Sequence, residues 1–304
     1  MKNLRFKLKR RDRKTTEKKY MILLVAGQSN AVGYDESIVK KDRFSRMNKK
    51  VFQLGFNDKD NLKIIPLGHC AQDFQDMRPY GNPKSHKKYL GTKGIHLPLG
   101  KLIANRLKNS YKVLIIPCAY GGTGFTTTEP FGKYDCIQMK PTEPIKLKWG
   151  VESAYYKALK DRLKFALDQN KNNKFLGVLW IQGENDIENP NEHIKKFNEM
   201  TQDFFEYFND QGYGERTKNK SFNKNIWFNC ETVNYWYDLV GGDILWKNYE
   251  DWNKETYIKI PRNTDSNQIN GTGLTTAFKA SHFGNNSYGK VIAPTVFKKI
   301  IKNF

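Results

Sequence analysis

The sequence predicts a three-layer α/β/α sandwich on a central parallel sheet, with one domain over residues 20–304 behind a basic arm over 1–19. Two observations predict it. Four short apolar runs rich in β-branched residues, Tyr20–Ala26, Val113–Pro117, Phe175–Ile181 and Ile226–Asn229, read as strands buried on both faces. The intervals between them hold amphipathic helical stretches, so β and α elements alternate, and in such folds sites sit at the carboxyl ends of the strands. One α/β domain of this length is ordinary, and 38% apolar residues suffice for a sizeable core.

Residues 1–19 carry ten Lys or Arg against Asp12 and Glu17 and read as a solvated arm, which accounts for part of the formal charge of +21. Such a charge attracts anions in general. The arm lacks the interleaved series of aromatics that a single-strand platform needs, so no specific nucleic-acid partner is expected. The apolar run Met21–Ala26 is too short for a secretory segment and no run approaches a membrane span, which points to the cytoplasm and leaves periplasmic or extracellular action open.

The first strand leads into Gly27-Gln28-Ser29-Asn30. A tight turn there lifts the Ser29 hydroxyl onto the first turn of a helix, beside N–H groups that can hold an oxyanion. Taken alone, Ser29 is equally an ordinary N-cap serine. The surroundings are not G-x-S-x-G, which disfavours the α/β-hydrolase elbow.

Beyond it, 55–98 is rich in Gly, Asn and Pro and reads as irregular, as do 126–150 and 210–275; loops so long make the walls of a cleft. A helix is expected over Leu99–Lys108. The second strand is followed by Tyr120-Gly121-Gly122-Thr123-Gly124, where Gly121 and Gly122 allow close backbone approach to a ligand or simply make a turn. Helices follow over Ala154–Asp168 and His193–Asn209. Between them the third strand ends in Gln182-Gly183-Glu184-Asn185-Asp186. There Gln182 or Asn185 could lend an amide to an oxyanion, while Glu184 and Asp186 brace the loop; alone, the segment is a polar strand-to-helix turn.

Near the end, His282 precedes a last helix over Pro294–Lys302 and suits a base reaching back to the first strand. His69, His86, His96 and His193 stand singly and read as packing or surface residues. Cys70, Cys118, Cys136 and Cys230 form no C-x-x-C pair and read as free thiols, and no metal spacing is present.

In order, Gly27-Gln28-Ser29-Asn30, Gly121-Gly122, Trp180-Ile181-Gln182-Gly183-Glu184-Asn185-Asp186 and Ser281-His282-Phe283 resemble the blocks of the SGNH hydrolases, whose fold is flavodoxin-like. Further stretches, among them Ile65-Pro66-Leu67-Gly68-His69-Cys70, Gln75-Asp76-Met77, Ile116-Pro117-Cys118 and Thr275-Thr276-Ala277, are similar to the bacterial sialate 9-O-acetylesterases. The resemblance implies hydrolysis of acetyl esters of sialic acid with no cofactor or metal. It implies Ser29 as nucleophile, His282 as base, and oxyanion donors among Ser29, Gly121, Gly122, Gln182 and Asn185. Where the superfamily usually has Asp three residues before the histidine, this chain has Lys279, which cannot support an imidazolium as a carboxylate does. A Ser29–His282 dyad is therefore expected, with the His282 ring held by a backbone carbonyl or another residue.

Substrate contacts are expected from Gln28, from Arg78 to a carboxylate, and from Trp149, Tyr235 or Trp236 on a sugar face, although loop arginines are commonly solvated and aromatics commonly buried. The competing readings are an esterase of another acetylated glycan, such as xylan or a capsule or lipopolysaccharide sugar, and an inactive carbohydrate-binding relative.

Overall fold

The computed structural model describes residues 18–35, 44, 46–56, 60–68, 93–107, 110–126, 148–237, 241–262, 264, 281–284 and 286–303. Among these, six strands form one sheet: β1 (Lys19–Gly27), β2 (Val51–Leu54), β3 (Ile64–Pro66), β4 (Tyr111–Ala119), β5 (Lys174–Ile181) and β6 (Trp227–Asn229). Their order is β3-β2-β4-β1-β5-β6, all parallel except that β3 runs antiparallel to β2 at the edge. Counting the parallel strands alone, the order is second, third, first, fourth, fifth, whereas a flavodoxin sheet runs 2-1-3-4-5. β1 lies at the centre, with earlier crossovers on one side of it and later ones on the other.

Alternation along the strands divides the core between two faces. Ile22, Leu24 and Ala26 point to one side with Leu114, Ile116, Val178 and Trp180. Over them pack α3 (Ala154–Asp168), α4 (Pro190–Asp210) and α6 (Gly242–Trp252). Leu23 and Val25 point to the other with Val113, Ile115, Leu179 and Ile181, under α2 (His96–Arg106) and α7 (Ala293–Ile300). Two short helices, α1 (Ser29–Val32) and α5 (Asn234–Tyr237), follow β1 and β6.

The four expected strands and helices are present, with ends shifted by a few residues. The expectation of irregular chain fails in part. Segment 55–98 contributes the edge strand β3, and 210–275 contains α6, which buries Leu245, Trp246 and Tyr249. Gly241 precedes that helix in the left-handed region (φ +83°), as its N-cap. The Ser153 hydroxyl accepts from the Tyr156 N–H (3.0 Å) and caps α3 as an N-cap serine should. Cys118 and Cys230 are buried free thiols. No helix among the described residues is long and apolar enough to cross a membrane.

Candidate active site

Three loops leave the sheet in one row. Gly27 pairs with Ala119 on one side and Ile181 on the other, so β1, β4 and β5 end side by side. The Gln28 N–H donates to Ile181 O and the Tyr120 N–H to Gly27 O, both at 3.0 Å. Gly27 has φ +129°, and a Cβ there would stand 2.0 Å from Ile181 O, so only glycine permits this turn. Ser29 follows as the first residue of α1 and is half-buried. At that position its N–H has no acceptor within the helix. Its hydroxyl makes no hydrogen bond to a described residue.

Asn30, fully buried, joins the first loop to the other polar segments. Its Nδ2 donates to Glu184 Oε1 (2.8 Å), Thr232 Oγ1 (2.9 Å) and Ser281 O (3.1 Å), and its Oδ1 accepts from the Phe283 N–H (3.2 Å). His282 is thus bracketed by two residues bonded to the neighbour of Ser29. The Trp236 indole also donates to Ser281 O (2.9 Å). His282 is buried, with Nδ1 3.3 Å from Ser281 Oγ and its ring stacked on Tyr34.

The third loop is braced from within. Glu184 accepts from Asn30 and from Thr232 Oγ1 (2.6 Å). Burial pushes its carboxyl up, against those two bonds, which pull it back. Asp186 accepts from the Phe125 N–H (2.7 Å), the Thr126 N–H (2.9 Å) and hydroxyl (2.6 Å), and meets His193 Nδ1 at 2.7 Å. Burial would raise this carboxyl too, but the bonds from His193, Thr126 and Phe125 outweigh it and hold it well below the usual range.

Gln182 is 1% exposed and gives its Nε2 to Thr123 O (3.1 Å), which leaves Asn185, half-buried with Nδ2 on Gly122 O (2.9 Å), as the amide at the rim. Gly122 itself takes φ +65° in the neighbouring turn. Gln28 is 2% exposed and its amide meets Asn185 Oδ1 (3.0 Å). Turned over, the same amide reaches Glu184 Oε2 and Thr123 O, both at 3.1 Å; in either orientation its partners are protein groups, not an open cleft.

Trp149 is likewise interior, donating to Thr123 Oγ1 (3.0 Å) and packed on Trp180 and Tyr155, so it offers no face to a sugar. Tyr235 is exposed. Arg78, Lys279, His69, His86, Cys70 and Cys136 lie outside the described residues. His96 is buried at the start of α2, where burial lowers its imidazole to about 3. Among the described residues no cluster of three His, Cys, Asp or Glu could hold a metal ion.

His193 was legible only as a packing residue, yet it closes a buried chain. Trp180 Nε1 donates to Tyr249 OH (2.8 Å), Tyr249 OH meets His193 Nε2 (2.6 Å), and His193 Nδ1 meets Asp186. With the indole donating to it, the phenol gives its own proton to Nε2, and the remaining Nδ1–H points at the carboxylate. Because the folded-state pKa of Asp186 is depressed, its stabilisation is complete above the unfolded value of about 4 and fades as pH falls below it. Asp186→Asn is therefore expected to cost about 3 kcal/mol near pH 7 and to flatten the loss of stability between about pH 4 and pH 2. Thermal unfolding across that range checks it, and an unchanged acid limb would refute it.

The family model for carbohydrate esterases described as sialic acid-specific acetylesterase matches residues 19–212. The chain belongs to this family. One relative, from Escherichia coli strain K12, carries the name "probable 9-O-acetyl-N-acetylneuraminic acid deacetylase". It is 27% identical, with 93% of this chain and 96% of that protein aligned. Among solved structures, that of NanS superposes with a TM-score of 0.77 at 25% identity, covering 94% of this chain and 98% of that one. A protein from Arabidopsis thaliana superposes with a TM-score of 0.60 at 13% identity, over 94% and 99% of the two chains, and shares the fold. The match to the acetylesterase family runs from the start of β1 through α4, and so includes the loops of Ser29, Gly121-Gly122 and Asp186.

Proposed function

We propose that the chain hydrolyses O-acetyl esters of sialic acid, of the 9-O-acetyl-N-acetylneuraminate type, to free sialic acid and acetate. Membership of the acetylesterase family and the named relative support the substrate. The observation that carries the residue roles is the Asn30 side chain, which ties the loop of Ser29 to both neighbours of His282.

Ser29 Oγ attacks the acetyl carbon while His282 takes its proton, and the tetrahedral intermediate collapses to an acetyl-enzyme as the sugar hydroxyl leaves with that proton. Water activated by His282 then releases acetate. The Ser281 hydroxyl beside Nδ1 suits a tautomer with the proton on Nδ1, which leaves Nε2 as the basic nitrogen. Oxyanion donors are the N–H groups of Ser29 and of Gly121 or Gly122, with the second N–H of the Asn185 amide, whose first holds Gly122 O; Asn185 lies half-buried at the rim, whereas Gln182 is 1% exposed. A chain of net charge +21 suits an anionic sugar.

The test is acetate release from 9-O-acetyl-N-acetylneuraminic acid beside acetylated xylo-oligosaccharide. The expected preference in kcat/KM is at least about 10²-fold for the sialic acid, as a site built around polar groups of its substrate gives. Equal rates, or a preference for xylan, would remove the sialate assignment and keep the esterase.

A further inference from the structure

Lys279 stands where a carboxylate would orient the histidine, yet the His282 ring is closely confined. It lies parallel to the Tyr34 ring, with centroids 4.6 Å apart and an interplanar angle of 13°. Tyr34 is itself fixed on both sides. Gly33 before it has φ +97° and lies so close to Gly94 that a Cβ on Gly33 would stand 2.3 Å from the Gly94 backbone, which excludes any side chain there. Asp35 after it exchanges backbone hydrogen bonds with Lys93, at 3.1 and 2.8 Å.

The histidine loop is fastened to the same segment. The Asn286 N–H donates to Asp35 Oδ2 (2.9 Å), and Lys93 Nζ donates to Asn286 Oδ1. Asp35 and Lys93 are 0% and 5% exposed, so this clasp is interior. His282 is therefore held upstream and downstream by the chain that carries Tyr34: Asn30 grips residues 281 and 283, and Asp35 grips 286.

We infer that Tyr34 is a positioning residue for His282, its ring fixing the plane of the imidazole. The inference rests on the proposed roles of Ser29 and His282. A flat aromatic face prevents the imidazole from rotating about its ring bond, which keeps the base in a single orientation. It also favours the imidazolium formed once the Ser29 proton has moved, because a ring face carries negative potential. Tyr34 does not touch the reacting atoms in this account and acts only through His282.

The experiment compares wild type, Tyr34→Leu, Tyr34→Phe and Ser29→Ala in acetate release, with carbon–proton NMR of the histidine rings and His282→Ala to assign the His282 signals. Tyr34→Leu is expected to lower kcat by about 10- to 100-fold with KM within about twofold, because a misaligned base slows the chemical step alone. Tyr34→Phe keeps the ring and should stay within about threefold of wild type. The wild-type and Phe proteins should share an upfield His282 ring-proton shift that the Leu protein loses. Wild-type kcat in Tyr34→Leu overturns the inference, and so does a loss in Tyr34→Phe equal to that in Tyr34→Leu. If Tyr34→Leu does not fold, the Phe variant and the wild-type His282 shift still decide. Activity surviving in Ser29→Ala would instead overturn the dyad itself.

Discussion

Ser29→Ala is expected to lower kcat for acetate release from 9-O-acetyl-N-acetylneuraminic acid by at least about 10³-fold while leaving the fold intact, since loss of a serine nucleophile removes the covalent route altogether. The two halves of this expectation have separate physical grounds. The Ser29 hydroxyl bonds to no described residue and is half-buried, so its removal leaves no buried partner unsatisfied. The change in stability should stay within about 0.5 kcal/mol.

His282→Ala should match it in activity but not in stability. Its ring is 7% exposed and stacked on Tyr34, so truncation opens a cavity and costs about 1 to 2 kcal/mol besides. Because nucleophile and base act in one step, the double variant should be no slower than the slower single variant. Steady-state kinetics with thermal unfolding of all three proteins is the measurement. Independent, multiplicative losses would argue that the two side chains do not work as a unit, and a Ser29→Ala protein with wild-type turnover would end the nucleophile assignment.

The central strands were legible because burial on both faces leaves a mark that no partner strand is needed to read: Ile22 to Ala26 and Val178 to Ile181 are apolar without interruption. β2 was not, since Val51–Leu54 is a strand by pairing with Val113–Ile115, far along the chain, and with Ile64–Pro66, and its residues carry no period of their own. The same distinction governs the site. Ser29 and the Gln182–Asp186 loop announce themselves by glycines placed directly after apolar runs. What holds them does not, because Asn30 finds Ser281 across a separation of 251 residues and Asp186 finds the Phe125 and Thr126 N–H groups across 61 and 60. Gln28 and Trp149, expected at the substrate, are each 2% exposed and bonded to protein groups, because a polar or aromatic residue beside a site serves equally well as its buried support, and only the packing distinguishes the two.

Asn30→Ala is expected to be the most damaging change away from the reacting atoms. It removes the donor to Glu184, Thr232 and Ser281 and the acceptor for the Phe283 N–H at one stroke. Leaving such groups unmatched in a buried network costs about 3 kcal/mol or more. Because the two backbone bonds are those that flank His282, kcat should fall by about 10²-fold even in the fraction that folds.

Asn30→Asp separates geometry from charge. It keeps the shape but places a second carboxylate against Glu184, already pushed up by burial. Burial and the like charge raise the folded-state pKa of the new acid above its unfolded value of about 4, so its penalty is small at low pH and grows as pH rises through the folded value. The Asp variant should therefore unfold at a higher temperature at pH 5 than at pH 8 by more than wild type does. Thermal melts at the two pH values, with kcat at each, test this. Wild-type stability and turnover in Asn30→Ala would mean that the Asn30 bonds are not what holds His282 in place.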